Sequence, residues 1–209
     1  MLLLIGAAAW IYWAASRTPS WYEQAVVPQK PSVQKPKSEQ MEQRAAELIS
    51  GFETTGHWEV LITEEQVNGW LAYGLPEKHP DALPEGFAQP RIKIEPDGIT
   101  GACRVERGAV AGVISIKVDV YLPEPNVVAL RIRRARLGRL PWPLGKILES
   151  ISQSARDSEV PLTWHQTDGD PVALIHVPLI KGDKRARIEK LQLDKGKIYI
   201  AGTTEKVEP

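Results

Sequence analysis

The sequence predicts an α+β protein: an antiparallel, meandering sheet packed against two or three helices and preceded by an N-terminal membrane helix. Three observations predict it. Residues 1–16 (MLLLIGAAAWIYWAAS) carry no charged side chain and are almost wholly apolar. From Arg91 onward, apolar residues recur at every second position between turn signals such as Asp97-Gly98 and Asp168-Gly169, which is the strand period. Residues 38–52, 63–71 and 144–156 instead show helical spacing.

The leader comes first. An apolar run of this kind is driven out of water, because each buried methylene contributes about 0.8 kcal/mol. It reaches the roughly 20 residues of a spanning helix only if Arg17 snorkels and Trp21 and Tyr22 sit at the interface. A cleavable signal peptide is the alternative, with Ala14-Ala15-Ser16 as the cut site, but no basic n-region precedes the run. The expected organisation is therefore an anchor or signal peptide over residues 1–17, a linker over 18–37 and a single α+β domain over 38–209. Lys30, Lys35 and Lys37 follow the apolar run, and by the positive-inside rule they favour a cytoplasmic C-terminal side. The linker holds four prolines and neither period. Extended polyproline II is expected there, a semi-rigid spacer of up to about 60 Å.

In the domain, Met41, Ala45, Leu48 and Phe52 form one helical face, with Ser38 as its cap. Residues 57–62 alternate as a short strand. Thr63-Glu64-Glu65-Gln66 reads as a capping box, followed by a helix that buries Val67, Trp70 and Leu71 until Gly74 and Pro76 stop it. Ile92 and Ile94 lead through Pro96-Asp97-Gly98 to a strand over 99–107. The runs 114–122 and 127–137 can then be placed in register. Val120 faces Leu130, Val118 faces Ile132 and Leu122 faces Val128, while Asp119 meets Arg131 on the other face. A slip of one residue would bury charge against the apolar row. Residues 144–156 carry Leu144, Ile147, Leu148 and Ile151 on one face. Two hairpins, turning at Asp168-Gly169 and Asp194-Lys195-Gly196, close the chain.

Composition narrows the function. Net charge is zero, so bulk attraction to nucleic acid is not expected. Cys103 has no partner for an intramolecular disulfide and alternates with strand residues, as a small core side chain would. His57, His79, His165 and His176 are scattered. The Asp168-Gly169 turn sets His165 opposite Val172 and His176 opposite Pro161, so the strand histidines do not meet over a metal. Asp168 and Asp170 are too few for a calcium shell and read as turn formers. Asn68 reads as a loop-binding side chain. No phosphate loop, nucleophile elbow or catalytic triad spacing is present, and neither enzymatic activity nor a cofactor is expected.

Residues 62–71 (ITEEQVNGWL), the Asp97-Gly98 hairpin, the long strand pair, and residues 137–143 (LGRLPWP) before an apolar helix resemble membrane-anchored bacterial envelope proteins of the YpmS type. More remotely they are similar to LmeA-like lipid-binding proteins. The resemblance covers roughly residues 60–205. It implies an extracytoplasmic domain, tethered to the inner (cytoplasmic) membrane by one anchor, whose curved sheet cradles a helix over an apolar groove like that of tubular lipid-binding folds. It implies no catalytic residues.

Two surfaces follow as candidates. Arg131, Arg133, Arg134, Arg136 and Arg139, with Trp142, would face anionic headgroups, each charge contributing about 1 kcal/mol near such a membrane. The competing reading is a solvated strand face neutralised by Asp119 and other acids. Trp70, Val118, Val120, Leu130, Ile132, Ile147 and Ile151 would line a groove for an acyl chain, where the competing reading is a filled core. The function expected is a membrane-tethered, non-enzymatic module binding lipid or another apolar component. The alternative is a structural or assembly partner in an envelope protein complex.

Overall fold

A computed structural model of the chain describes residues 13–108, 110–157, 160–177 and 180–207. Most of the expected membrane helix falls outside them. Among the described residues no helix is long and apolar enough to cross a membrane.

The fold is α+β, with every strand pairing antiparallel, but the strands form two sheets rather than one meander. The larger runs β2–β3–β4–β5–β8–β7: β2 Phe87–Glu95, β3 Gly98–Arg107, β4 Val110–Glu124, β5 Val127–Leu137, β8 Asp170–His176 and β7 Leu162–Thr167. A two-residue strand, β6 (Leu140–Pro141), extends the β8 side of β5. The smaller runs β1–β11–β10–β9: β1 Gly56–Thr63, β11 Lys197–Lys206, β10 Lys184–Asp194 and β9 Ile180–Lys181. Pairing of β1 with the last strand joins residues more than 130 apart, and sequence alternation alone carries no signal for such a partner.

Within the larger sheet the expected register is found. Val118, Asp119 and Val120 lie opposite Ile132, Arg131 and Leu130. The turn is tighter than expected, with Glu124 opposite Val127, so the Leu122–Val128 pair gives way to a register shift. Asn126, in the left-handed region at φ 65°, forms that turn. Its side chain bonds Ala186 O and Ile188 N–H of β10, which ties the two sheets together.

The proline-rich segment is helical, not polyproline II. It holds α1 (Ser20–Ala25) and the start of α2 (Pro31–Glu53). Pro31 sits at the first helical position, where its missing N–H costs nothing, and Pro36 is accommodated inside the helix. Packing supplies the reason. Tyr22 is fully buried against Ala102 and Val113 of β3 and β4, and its hydroxyl donates to Gln89 O at 2.8 Å. Ser38 does not cap α2 but is buried within it. At the other end of α2, Trp58 of β1 donates to Thr204 Oγ1 at 3.1 Å, and Thr204 donates onward to Gly51 O at 2.7 Å.

The Thr63–Gln66 capping box is present and starts α3 (Glu64–Gly69), which continues through a π turn (Trp70–Gly74) into α4 (Leu75–Lys78). The last helix, α5 (Leu144–Asp157), follows β6. The α3 helix closes the outer edge of β2. Asn68 bonds both the N–H and the C=O of Ile92 at 2.8 Å, Glu64 accepts from Ile94 N–H at 2.7 Å, and Gly196 N–H donates to Ile94 O at 3.0 Å. An open strand edge is a template for unwanted pairing, and the side chains of Asn68 and Glu64 with the Gly196 N–H cover it.

Candidate functional site

The apolar face of β4 and β5 is the floor of the candidate groove. Ile116, Val118, Val120, Val128 and Leu130 share this face and are half-buried, and only Ile132 among the floor candidates is sealed, at 1% exposed. The face continues onto β8 and β7 through Ala173 and Trp164. α5 lies on this side, because Trp164 Nε1 donates to Ser152 Oγ of the helix at 2.8 Å. Its stripe of Leu144, Ile147, Leu148 and Ile151 is also half-buried. A helix of this amphipathicity normally buries such a stripe. Here both helix and floor keep apolar surface partly open.

Trp70 is not part of this groove. It lies at the β2 edge, across the sheet from α5, where its ring tilts against His79 at 6.3 Å. The helix carrying it packs on α2, so its apolar spacing served that contact instead.

The arginine run divides. Arg131 pairs with Asp170 at 2.7 Å and Asp168 at 3.2 Å, while Arg133 pairs with Asp170 at 2.7 Å and Asp119 at 3.3 Å. The bond from Arg131 holds the Asp170 carboxyl below the usual range, and the same bond raises the guanidinium. The β4–β5 register shift makes Arg133 the extra residue, which brings both arginines to one carboxylate. Arg134, Arg136 and Arg139 are exposed and have no ion-pair partner among the described residues. Trp142 is half-buried against Val105, Ile114 and Leu137.

The described end of the leader docks beside Arg139. Residues 13–15 are helical, and Ala14 O accepts from Arg139 N–H at 2.9 Å. The Trp13 ring lies 4.2 Å from the Arg17 guanidinium and 5.6 Å from that of Arg139, both cation–π contacts. The approach depends on Gly138, whose φ is 58° and whose absent Cβ would collide with the carbonyls of Ala14 and Ala15. The leader therefore meets the globule at the end of the larger sheet that carries Arg136, Arg139 and Trp142.

Among the described residues no group of His, Cys, Asp and Glu is placed to hold a metal ion. His165 lies opposite Val172, and His176 N–H donates to Pro161 O at 3.1 Å. Cys103 is half-buried opposite Ile114, and burial pushes its thiol pKa up. No family model, curated protein or solved structure matches the chain.

Proposed function

We propose that the chain is a membrane-tethered binding module that holds a lipid or another apolar envelope component between the larger sheet and α5. The observation that carries this reading is that Val118, Val120 and Leu130 on the floor, and Ile147 and Ile151 on a helix bonded to the same sheet through Trp164, all remain half-buried. A folded domain normally closes such a surface completely. The docked leader supports the tether. It places Arg17 and Arg139 on one Trp13 ring, where cations would meet anionic headgroups. In this reading the anchor sits in the inner membrane and the domain is extracytoplasmic.

Native mass spectrometry of the full chain, released from a mild detergent in the gas phase, tests the proposal. The expected result is protein carrying one lipid-sized mass, with Leu130→Trp reducing its occupancy at unchanged melting temperature. Protein free of any bound lipid would overturn it.

A second reading, an assembly partner in an envelope complex, is supported by β7. It is the outer strand of the larger sheet, and Thr163, His165, Gln166 and Thr167 on it are exposed. Crosslinking in membranes would then recover one dominant protein rather than lipid.

A further inference from the structure

Arg91 is a buried cation with no carboxylate. It is 7% exposed, yet its hydrogen bonds go to two backbone carbonyls, from Nε to Ala25 O at 2.9 Å and from one terminal nitrogen to Pro90 O at 2.6 Å. No described acid pairs with it, and the titratable group acting on it is the phenol of Tyr22. Burying an unpaired charge is strongly unfavourable, and arginine does not escape by losing its proton. The acids around it are committed elsewhere. Glu64 accepts from Ile94 N–H, Glu65 pairs with Lys37 at 3.1 Å, and Glu95 pairs with Lys93 at 2.7 Å.

The fold aims this side chain deliberately. Gln89 and Pro90 together oppose Cys103, a bulge in β2 with Gln89 at φ 53°. Such bulges redirect the adjoining side chain. The contact with Ala25 O caps the end of α1, but it uses one of five guanidinium N–H groups. No buried side-chain nitrogen among the described residues lacks a partner, so the terminal nitrogen of Arg91 that makes neither bond reaches solvent, and Arg91 itself lines open clefts.

There are two such clefts, and they share Gln29, Gln34 and Arg91. One, of about 320 Å³, is polar and adds Lys37 and Lys93 to Arg91 against Glu64 and Glu65. The other, of about 420 Å³, is bordered by Val26, Leu71, Leu75, Leu83 and Phe87. Both volumes fall in the range of small-molecule sites. Arg91 stands at the junction of a charged half, whose lysines pair with Glu65 and Glu95, and a half richer in apolar side chains.

We infer that this double cleft binds an anionic amphiphile, with a carboxylate or phosphate monoester on Arg91 and an apolar tail among Leu71, Leu75, Leu83 and Phe87. The site lies at the β2 edge, across the larger sheet from α5, and stands independently of the groove proposed above.

The test is calorimetric titration of the full chain in phosphatidylcholine nanodiscs, with empty nanodiscs subtracted. The ligands are hexanoate and hexyl phosphate, with hexanol and inorganic phosphate as the single-feature comparisons. At least one of the two amphiphiles is expected to bind ten-fold or more tighter than either comparison. Arg91→Met should abolish that advantage over hexanol. Ala72→Trp, which fills the apolar half and leaves Arg91 in place, should reduce hexyl phosphate to the affinity of inorganic phosphate. Inorganic phosphate binding as tightly as hexyl phosphate would identify a free-anion site and overturn the amphiphile. Hexanol binding as tightly would remove the role of Arg91. No binding by any ligand would make Arg91 a structural strut alone. These wild-type comparisons and Ala72→Trp decide the matter even where Arg91→Met fails to fold.

Discussion

Replacing Asn68 with alanine removes both hydrogen bonds by which one side chain closes the exposed edge of β2, to Ile92 O and from Ile92 N–H. Each bond is worth about 1 kcal/mol net, and the two backbone groups left behind cost about 1–3 kcal/mol where water does not reach them. Ile92 is half-buried, which reduces the second term. Alanine returns about 0.5 kcal/mol as the better helix former. The expected loss is therefore about 2 kcal/mol, read as a lower urea midpoint for the full chain in nonionic micelles at unchanged slope. Asn68→Asp sharpens the test. Its carboxylate can still accept from Ile92 N–H but faces the Ile92 carbonyl without a proton to donate. It should be as unstable as the alanine variant at pH 7 and recover as pH falls through the carboxylate range, because the folded state favours the protonated acid. A loss under about 0.5 kcal/mol for Asn68→Ala, the range of an ordinary surface change, would refute the edge-closing role.

Thr204→Val should cost about 2–4 kcal/mol in the same assay, since it strands Trp58 Nε1 and Gly51 O in a buried site. Asp170→Asn removes the negative charge shared by Arg131 and Arg133. Because the Asp170 pKa is lowered on folding, its contribution is full above the ordinary carboxylate pKa and is lost as pH falls below it. The stability difference from the native chain should thus shrink in acid, as followed by melting temperature against pH. Gly138→Ala should undock residues 13–16, seen as faster tryptic cleavage after Arg17 with the remaining digestion pattern unchanged.

What the sequence revealed and what it concealed divide along one physical line. Local patterns were legible. The capping box at Thr63, the Val118–Ile132 and Asp119–Arg131 register, and the His165–Val172 pairing each follow from spacing and turn chemistry. Features set by distant partners were not. The prolines of residues 18–37 suggest an extended chain, and only the burial of Tyr22 and Ser38 turns that segment into helices. Trp70 fits an apolar helical stripe, but its spacing does not say whether α2 or a groove receives it. The β1–β11 pair, and with it the second sheet, depends on the two ends of the domain meeting. Arg91 follows a bulge in β2, and its own residue type and spacing do not announce a buried cation. A reader of the sequence has one clue in Gln89-Pro90, since proline is confined to edges and bulges within sheets.

The central claim is that the floor of β4 and β5 and the stripe of α5 face a lipid in the membrane-bound protein. A photoreactive phenylalanine placed at Ile151 in the full chain, activated in native membranes, tests it most directly against the same group at Leu61 on the exposed outer face of β1. A lipid adduct is expected on the Ile151 variant and none on the Leu61 variant. Equal labelling at both positions, or no lipid adduct at Ile151, would contradict it.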